Sequence, residues 1–380
     1  MRQLAAVAAV LLAVSACAAP APPRSEAAPS PTPAGPAVLP APTGDRPVGT
    51  TVLYLKDTSR PDPWNLDAAA RELKVTLWYP AGRRDGERAP YMTAKESELL
   101  LKGARIASAP YDTLSRTRTN AVEDAEPAGR KLPLVLLSPG FTKPVSTLTS
   151  LAEDLASHGY VVAGLDHPYE SYATTLPGGR VAACLACDSD SDPGFGAGLV
   201  RGRAADVSFV LDRLPSAWDG SRVVDFSRVA MAGQSIGGAS ALAALAHDRR
   251  VRAGIDLDGT TYARFPKGGL SRPVLFVGSP EHVPGGRDAS WERDWKLLTG
   301  WRRWIVLKGA EHQSFTDAPL LAGALGIKPV PGTLPAARAA ELTRAYVAAF
   351  LDRHLKGLER PLLDGPSPRE PEVTFHQGSL

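Results

Sequence analysis

The sequence predicts an α/β chain with a mostly parallel central sheet and helices on both faces. Two observations predict it. Short continuous apolar runs, such as residues 132–137 and 160–165, alternate along the chain with helical patterns, and unbroken apolar strands of this kind are buried on both sides. Residues 229–238 are an apolar strand that enters Gly233-x-Ser235-x-Gly237 directly, followed by an alanine-rich run to His247. A strand, a sharp glycine-flanked turn and a helix are the setting that holds a reactive serine at a sheet edge.

The first residues read as a targeting segment. Met1-Arg2-Gln3 is weakly positive, and residues 4–14 are unbroken apolar, too short to span a bilayer as a stable anchor. Val14-Ser15-Ala16-Cys17 resembles a bacterial lipoprotein box. This implies a signal peptide over residues 1–16, acylation of Cys17 and an extracytoplasmic protein lipid-anchored to the cell membrane. Each buried methylene of such an anchor contributes about 0.8 kcal/mol. Ordinary secretion is the alternative. Residues 18–48 are dominated by Ala and Pro, have no hydrophobic period and read as an extended linker. Residues 49–380 are left as the folded domain.

Within that domain, residues 51–56 and 73–79 alternate and carry β-branched and aromatic side chains, so both are expected as strands. Residues 91–129 show no sheet signal and hold one expected helix, 98–107. Its Leu99, Leu100 and Leu101 lie beside charges, which suits either a cover over an apolar site or simple packing on the sheet. Strands at 132–137 and 160–165 follow, with a helix at 145–157 between them. A long loop then leads to a helix carrying Val200, Ala204, Val207, Leu211 and Leu214 at three-four spacing, which Pro215 is expected to end. After the serine turn come strands 251–257, 273–277 and 304–307, the last expected strand. Helices are expected at 291–299 and 335–356, the latter stopped by Gly357.

The carboxyl ends of parallel strands are where chemistry gathers in such sheets. Ser235, Asp258, His312 and the turn Ser138-Pro-Gly-Phe141 all lie at strand ends. Serine, acid and histidine also follow in the order of α/β-hydrolases. A hydroxyl is a poor nucleophile until an imidazole takes its proton, and His312, directly after the last expected strand, is the best base. His282 competes but lies one strand earlier. For the acid, pattern leaves Asp258 and Glu281 open. The oxyanion needs two preorganised N–H donors, expected from Ile236 and from Phe141, which Gly140 lets approach. Gly233 and Gly237 are expected because side chains there would collide with the neighbouring strand and helix.

Composition narrows the field. Lys and Arg number 43 against 40 Asp and Glu and are dispersed, so no nucleic-acid footprint exists. After Cys17 the only cysteines are Cys184 and Cys187, which outside the cytoplasm read as a local disulfide rather than a metal or redox site. Asp188-Ser-Asp-Ser-Asp192 begins like a calcium loop, but Pro193 and Leu199 occupy positions that need Gly and Glu. No metal and no cofactor are expected.

Together, Ser138-Pro-Gly-Phe141, Gly-Gln-Ser235-Ile-Gly-Gly, Gly254-Ile-Asp-Leu-Asp258 and Glu311-His312-Gln-Ser-Phe315 resemble platelet-activating-factor acetylhydrolases of the plasma type and their bacterial lipase-like relatives. The resemblance covers about residues 73–355. It implies an α/β-hydrolase that cleaves short or oxidised acyl chains from phospholipids, or related soluble esters, without metal, and it assigns the acid to Asp258. Pro139 and Gln234 stand where that family often has histidine, a departure that bears on substrate preference. A cutinase-like polyesterase, a thioesterase, a peptidase and a binding lipoprotein on a hydrolase scaffold are the competing readings.

Overall fold

The computed structural model describes residues 35–377; the expected signal peptide and Cys17 lie outside the described residues. The strands are β1 (Val48–Asp57), β2 (Arg71–Pro80), β3 (Val122–Glu123), β4 (Leu132–Ser138), β5 (Val161–Asp166), β6 (Thr174–Thr175), β7 (Val181–Ala182), β8 (Val224–Gln234), β9 (Val251–Leu257), β10 (Val274–Gly278), β11 (Arg302–Leu307) and β12 (Val373–His376). The helices are α1 (Ala94–Gly103), α2 (Thr149–Ser157), α3 (Phe195–Ala217), α4 (Ile236–His247), α5 (Ser290–Trp295), α6 (Ala318–Leu321) and α7 (Ala336–Leu355).

Ten strands form one sheet in the order β12-β11-β10-β9-β8-β4-β5-β2-β1-β3. The run from β11 to β5 is parallel throughout. Side chains along each central strand alternate between two cores. In β4, Val135 and Leu137 pack with α2 and α7, whereas Leu134 and Leu136 pack with α3 and α4. This two-sided burial is why the central strands read as continuous apolar runs.

Several boundaries differ from expectation. The linker does not run to residue 48: Leu39 is 1% exposed among Tyr91, Leu101 and Leu114. Its N–H donates to Arg118 O at 3.0 Å, and Arg344 donates to Ala41 O at 3.0 Å. One buried leucine and these backbone bonds dock an otherwise aperiodic stretch. The 91–129 excursion contributes β3 to the sheet edge beside β1. Pro215 lies inside the last turn of α3 rather than ending it, and Trp218 N–H closes the helix on Leu214 O. Helix α5 stops at Trp295 because the following residues pair instead with Leu270, which donates to Leu297 O and accepts from Thr299 N–H. Strand β12 was not expected; four residues at an edge, antiparallel to β11, carry too short a pattern to register.

Candidate active site

Strand β8 delivers Ser235 into a backbone conformation that side chains rarely adopt, with φ 59° and ψ −128°. Such strain persists only where the surroundings enforce it, and here two glycines permit the fit. A Cβ on Gly233 would stand 2.3 Å from the Gly237 carbonyl carbon, and one on Gly237 would stand 2.0 Å from Ser138 O. Strand β4 and helix α4 therefore meet at contact distance only through glycine. The Ser235 N–H donates to Leu257 O at 2.8 Å, which ties the turn to the next strand.

The end of that strand carries Asp258, 2% exposed and itself at φ 59°. Its Oδ2 faces His312 Nδ1 at 2.7 Å. Its Oδ1 accepts from Ser279 N–H at 2.6 Å and faces His282 Nδ1 at 3.0 Å. Burial pushes the Asp258 carboxyl up, but the bonds from His282, His312 and Ser279 outweigh it and hold the group well below the usual carboxylate range. Glu281, the other candidate acid, is exposed and sits 3.5 Å from Arg287. His282, the competing base, instead packs behind Asp258.

His312 follows β11 on a short 3-10 turn, His312–Phe315. Its side chain is 49% exposed, open to a reactant on the side away from Asp258. Gln234, buried in the serine turn, donates to His312 O at 2.9 Å and lies 3.3 Å from His312 Nε2. The residue that departs from the family pattern thus anchors the histidine loop. The Ser235 hydroxyl makes no hydrogen bond to the ring among the described residues.

Phe141 and Ile236 flank Ser235 on the two expected turns. Neither N–H has a protein acceptor among the described hydrogen bonds, so both are free to donate. A Cβ on Gly140 would meet Gln234 Oε1 at 2.6 Å, which explains why that turn can come so close. The turn is held from behind by a sealed ionic network. Arg203 donates to Pro139 O at 2.5 Å, to Ser138 Oγ at 3.1 Å and to Glu170 at 2.7 Å. Arg71 bonds Asp62, Pro168 O and Asp206.

Within this network Ser138 Oγ lies 3.0 Å from His167 Nε2, and His167 Nδ1 lies 2.6 Å from Asp206 Oδ2. The connectivity imitates a serine triad, yet the three residues are 0%, 2% and 0% exposed, so they brace the turn and meet no reactant. Burial, and then the charge of Arg203, lower the His167 pKa. This network was missed from sequence, although a signal existed: Leu199, Arg203, Asp206 and Val210 share the buried face of α3, and charges at such positions require partners.

A cavity of about 620 Å³ opens over Ser235 and His312, lined by Phe141, Phe195, Leu199, Ile236 and Tyr262, with Asp190 and Asp192 at its rim. Phe141 meets Phe195 edge-on at 5.2 Å, and Trp64 lies 5.5 Å from Phe195. Cys184 and Cys187 are bonded, tying the loop that leads to this rim. The expected cover is not here. Helix α1 packs Leu100 and Leu101 into a satellite cluster with Leu321 and Leu325, and no residue of the 91–129 excursion lines the cavity. The start of α3 and the loop before it form the wall instead.

The family model for platelet-activating factor acetylhydrolase, isoform II, matches residues 36–178 and 211–363. The chain belongs to this family. It is a carboxylic-ester hydrolase of the α/β-hydrolase fold. A probable 1-alkyl-2-acetylglycerophosphocholine esterase of Arthroderma benhamiae is 27% identical over 89% of this chain and 93% of its own. A platelet-activating factor acetylhydrolase of Cavia porcellus is 27% identical over 61% of this chain, which spans 59% of that enzyme. A solved ferulic acid esterase from Streptomyces cinnamoneus is 45% identical over 90% of this chain and 100% of its own, with a TM-score of 0.80. The family match omits residues 179–210, the stretch that supplies Asp190, Asp192, Phe195 and Leu199 to the cavity wall.

Proposed function

We propose that this enzyme cleaves esters through a Ser235–His312–Asp258 triad and an acyl-enzyme. The observation that carries the reading is the 2.7 Å contact between Asp258 Oδ2 and His312 Nδ1 beside the cavity that holds Ser235. With Nδ1–H committed to the carboxylate, Nε2 is left as the acceptor that can take the serine proton. Ser235 Oγ attacks the ester carbonyl as His312 takes its proton. The tetrahedral oxyanion accepts from Phe141 and Ile236 N–H. His312 then protonates the departing alcohol, and water repeats the sequence to release the acid. Asp258 stabilises the imidazolium formed in each half-reaction.

For substrate we favour compact acyl groups on soluble or lipid alcohols, as the names of the glycerophosphocholine-cleaving relatives suggest. A second reading, an aromatic acyl group, is favoured by the Phe141–Phe195 pair at the cavity wall, backed by Trp64, because edge-on and tilted aromatic contacts of this kind contribute about 0.5–1.5 kcal/mol beyond burial. The exposed extracytoplasmic location and the acyl anchor at Cys17 are likewise proposed, on the lipoprotein-box sequence. Cys17→Ser should move the protein to the soluble fraction and abolish palmitate labelling.

Fluorophosphonate labelling tests the nucleophile. The wild type should label and Ser235→Ala should not, with turnover falling about a millionfold. Comparable labelling and turnover in both would refute the triad, and a wild type that neither labels nor turns over would revive the non-catalytic binding scaffold. A panel of graded p-nitrophenyl esters, a 2-acetyl glycerophosphocholine and a feruloyl ester would rank the two substrate readings. Thioester and peptide substrates would test the remaining acyl chemistries.

A further inference from the structure

His282 stands where neither the proposed nucleophile nor the proposed base can use it. Its ring lies between two carboxylates. Nδ1 is hydrogen-bonded to Asp258 Oδ1 at 3.0 Å, and Nε2 lies 3.2 Å from Asp288 Oδ2 as an ion pair without hydrogen-bond alignment. A neutral imidazole has one bare nitrogen. In either tautomer that lone pair would point at a carboxylate oxygen.

The ring has no room to turn away. It stacks on Trp291 with centroids 4.2 Å apart and planes 27° apart. Trp304 Nε1 donates to His282 O at 2.8 Å, and Trp291 Nε1 donates to Gly259 O at 2.7 Å. Asp288 is fixed in turn by Thr260 Oγ1 and by Ser290 N–H.

We infer that His282 is a charged positioning residue: its imidazolium bridges Asp288 to Asp258 and holds the triad carboxylate ionised and oriented toward His312. The inference rests on the triad reading above. The charged groups around the ring support it. Burial opposes the cation, but Asp258, Asp288 and Asp256 raise the His282 pKa to about 9. Asp256 lies beside them, and burial pushes its carboxyl well above the usual carboxylate range. Arg293 is the cation on α5 that acts on Asp288, and Glu281 with Arg287 forms an exposed pair outside. Two ionised carboxylates and one imidazolium leave a single net negative charge to balance the cation that forms on His312. Without His282, two repelling carboxylates would lie close together and Asp258 would keep only the Ser279 N–H on Oδ1.

The sign of the pH effect follows. The His282 pKa is raised on folding, so its contribution is complete below the unfolded value of about 6.5 and is lost as pH rises through about 9.

The test is the pH dependence of kcat and of kcat/KM for a soluble acetyl ester, measured by pH-stat on wild type, His282→Asn, Asp288→Asn and Ser235→Ala. Asn at 282 retains a donor toward Asp258 but no charge. Asn at 288 retains the Oδ1 acceptor for Ser290 N–H. Wild type should show an alkaline inflection. It should move to lower pH in Asp288→Asn and disappear in His282→Asn, with KM little changed.

Profiles that superimpose after scaling, with a uniform rate loss at every pH, would overturn the inference while Ser235→Ala stays inactive. An active Ser235→Ala would instead overturn the triad reading. If His282→Asn does not fold, the displacement in Asp288→Asn decides alone, because asparagine keeps the shape of that side chain and its acceptor for Ser290 N–H.

Discussion

Asp258→Asn separates the role of the carboxylate from its shape. The two oxygens of Asp258 face different donors: Oδ1 takes Ser279 N–H and His282, and Oδ2 takes His312. An asparagine must place its NH₂ at one of these positions. A backbone N–H such as that of Ser279 cannot become an acceptor, so the amide oxygen is held at the Oδ1 position. The NH₂ then faces His312 Nδ1, which can accept only by moving its proton to Nε2. The imidazole is left in the tautomer that cannot take the serine proton. A wrong tautomer costs about ten-thousandfold in kcat, or about 5.5 kcal/mol of transition-state stabilisation. Acetyl-ester turnover under saturating substrate, with a melting curve alongside, would measure it. KM and the fold should change little, and Glu281→Gln should stay within about twofold of wild type, since its exposed side chain touches no member of the site. A variant Asp258→Asn within tenfold of wild type, or a large loss in Glu281→Gln, would refute this geometry.

Breaking the brace behind the oxyanion turn with Arg203→Met should destabilise by about 3–5 kcal/mol, because Glu170 would be left buried with one cation fewer; a chemical-denaturation series would show it, together with a lowered kcat from a displaced Phe141 N–H. Phe195→Ala should shift acyl preference with little change in Tm, whereas Leu100→Ser should lower Tm and leave preference alone; a p-nitrophenyl ester panel beside thermal melts distinguishes the wall from the satellite core. Asp317 is fully buried, and burial raises its pKa to about 7. The carboxyl is thus harder to ionise folded than unfolded, so its contribution is complete below about pH 4 and is lost as pH rises through about 7. Asp317→Asn should therefore gain in Tm relative to wild type as the pH of the melt is raised from 4 to 8.

Ser235 was legible because its signature is local. Strand, glycine turn and helix are contiguous, and the collisions that demand Gly233 and Gly237 arise within one turn and the strand beside it. The parallel sheet was legible for the same reason, since each strand carries its double-sided burial in its own apolar run. His312 needed only its place after a strand. The carboxylate partner of His312 was not legible from pattern. Asp258 and Glu281 both follow strand ends, and the choice depends on which side chain reaches the histidine ring. It was the resemblance that favoured Asp258, and it is the buried 2.7 Å contact that shows the geometry.

The remaining differences have one physical source: partners far apart in the chain. Leu39 looks like part of a linker until Tyr91 and Leu101 surround it. Helix α1 carries the apolar cluster of a cover, but an amphipathic pattern states only that a face must be buried, not against what. Strand β12 exists because β11 offers it an edge. His282 and Arg203 look like any loop or helix residue in sequence; burial converts them into obligate partners of Asp258 and of the Ser138–Phe141 turn. Sequence determines what a segment can bury and which chemistry it carries. Tertiary structure decides which charge meets which, because that energy depends on separation and burial in space, and neither is a property of a local stretch.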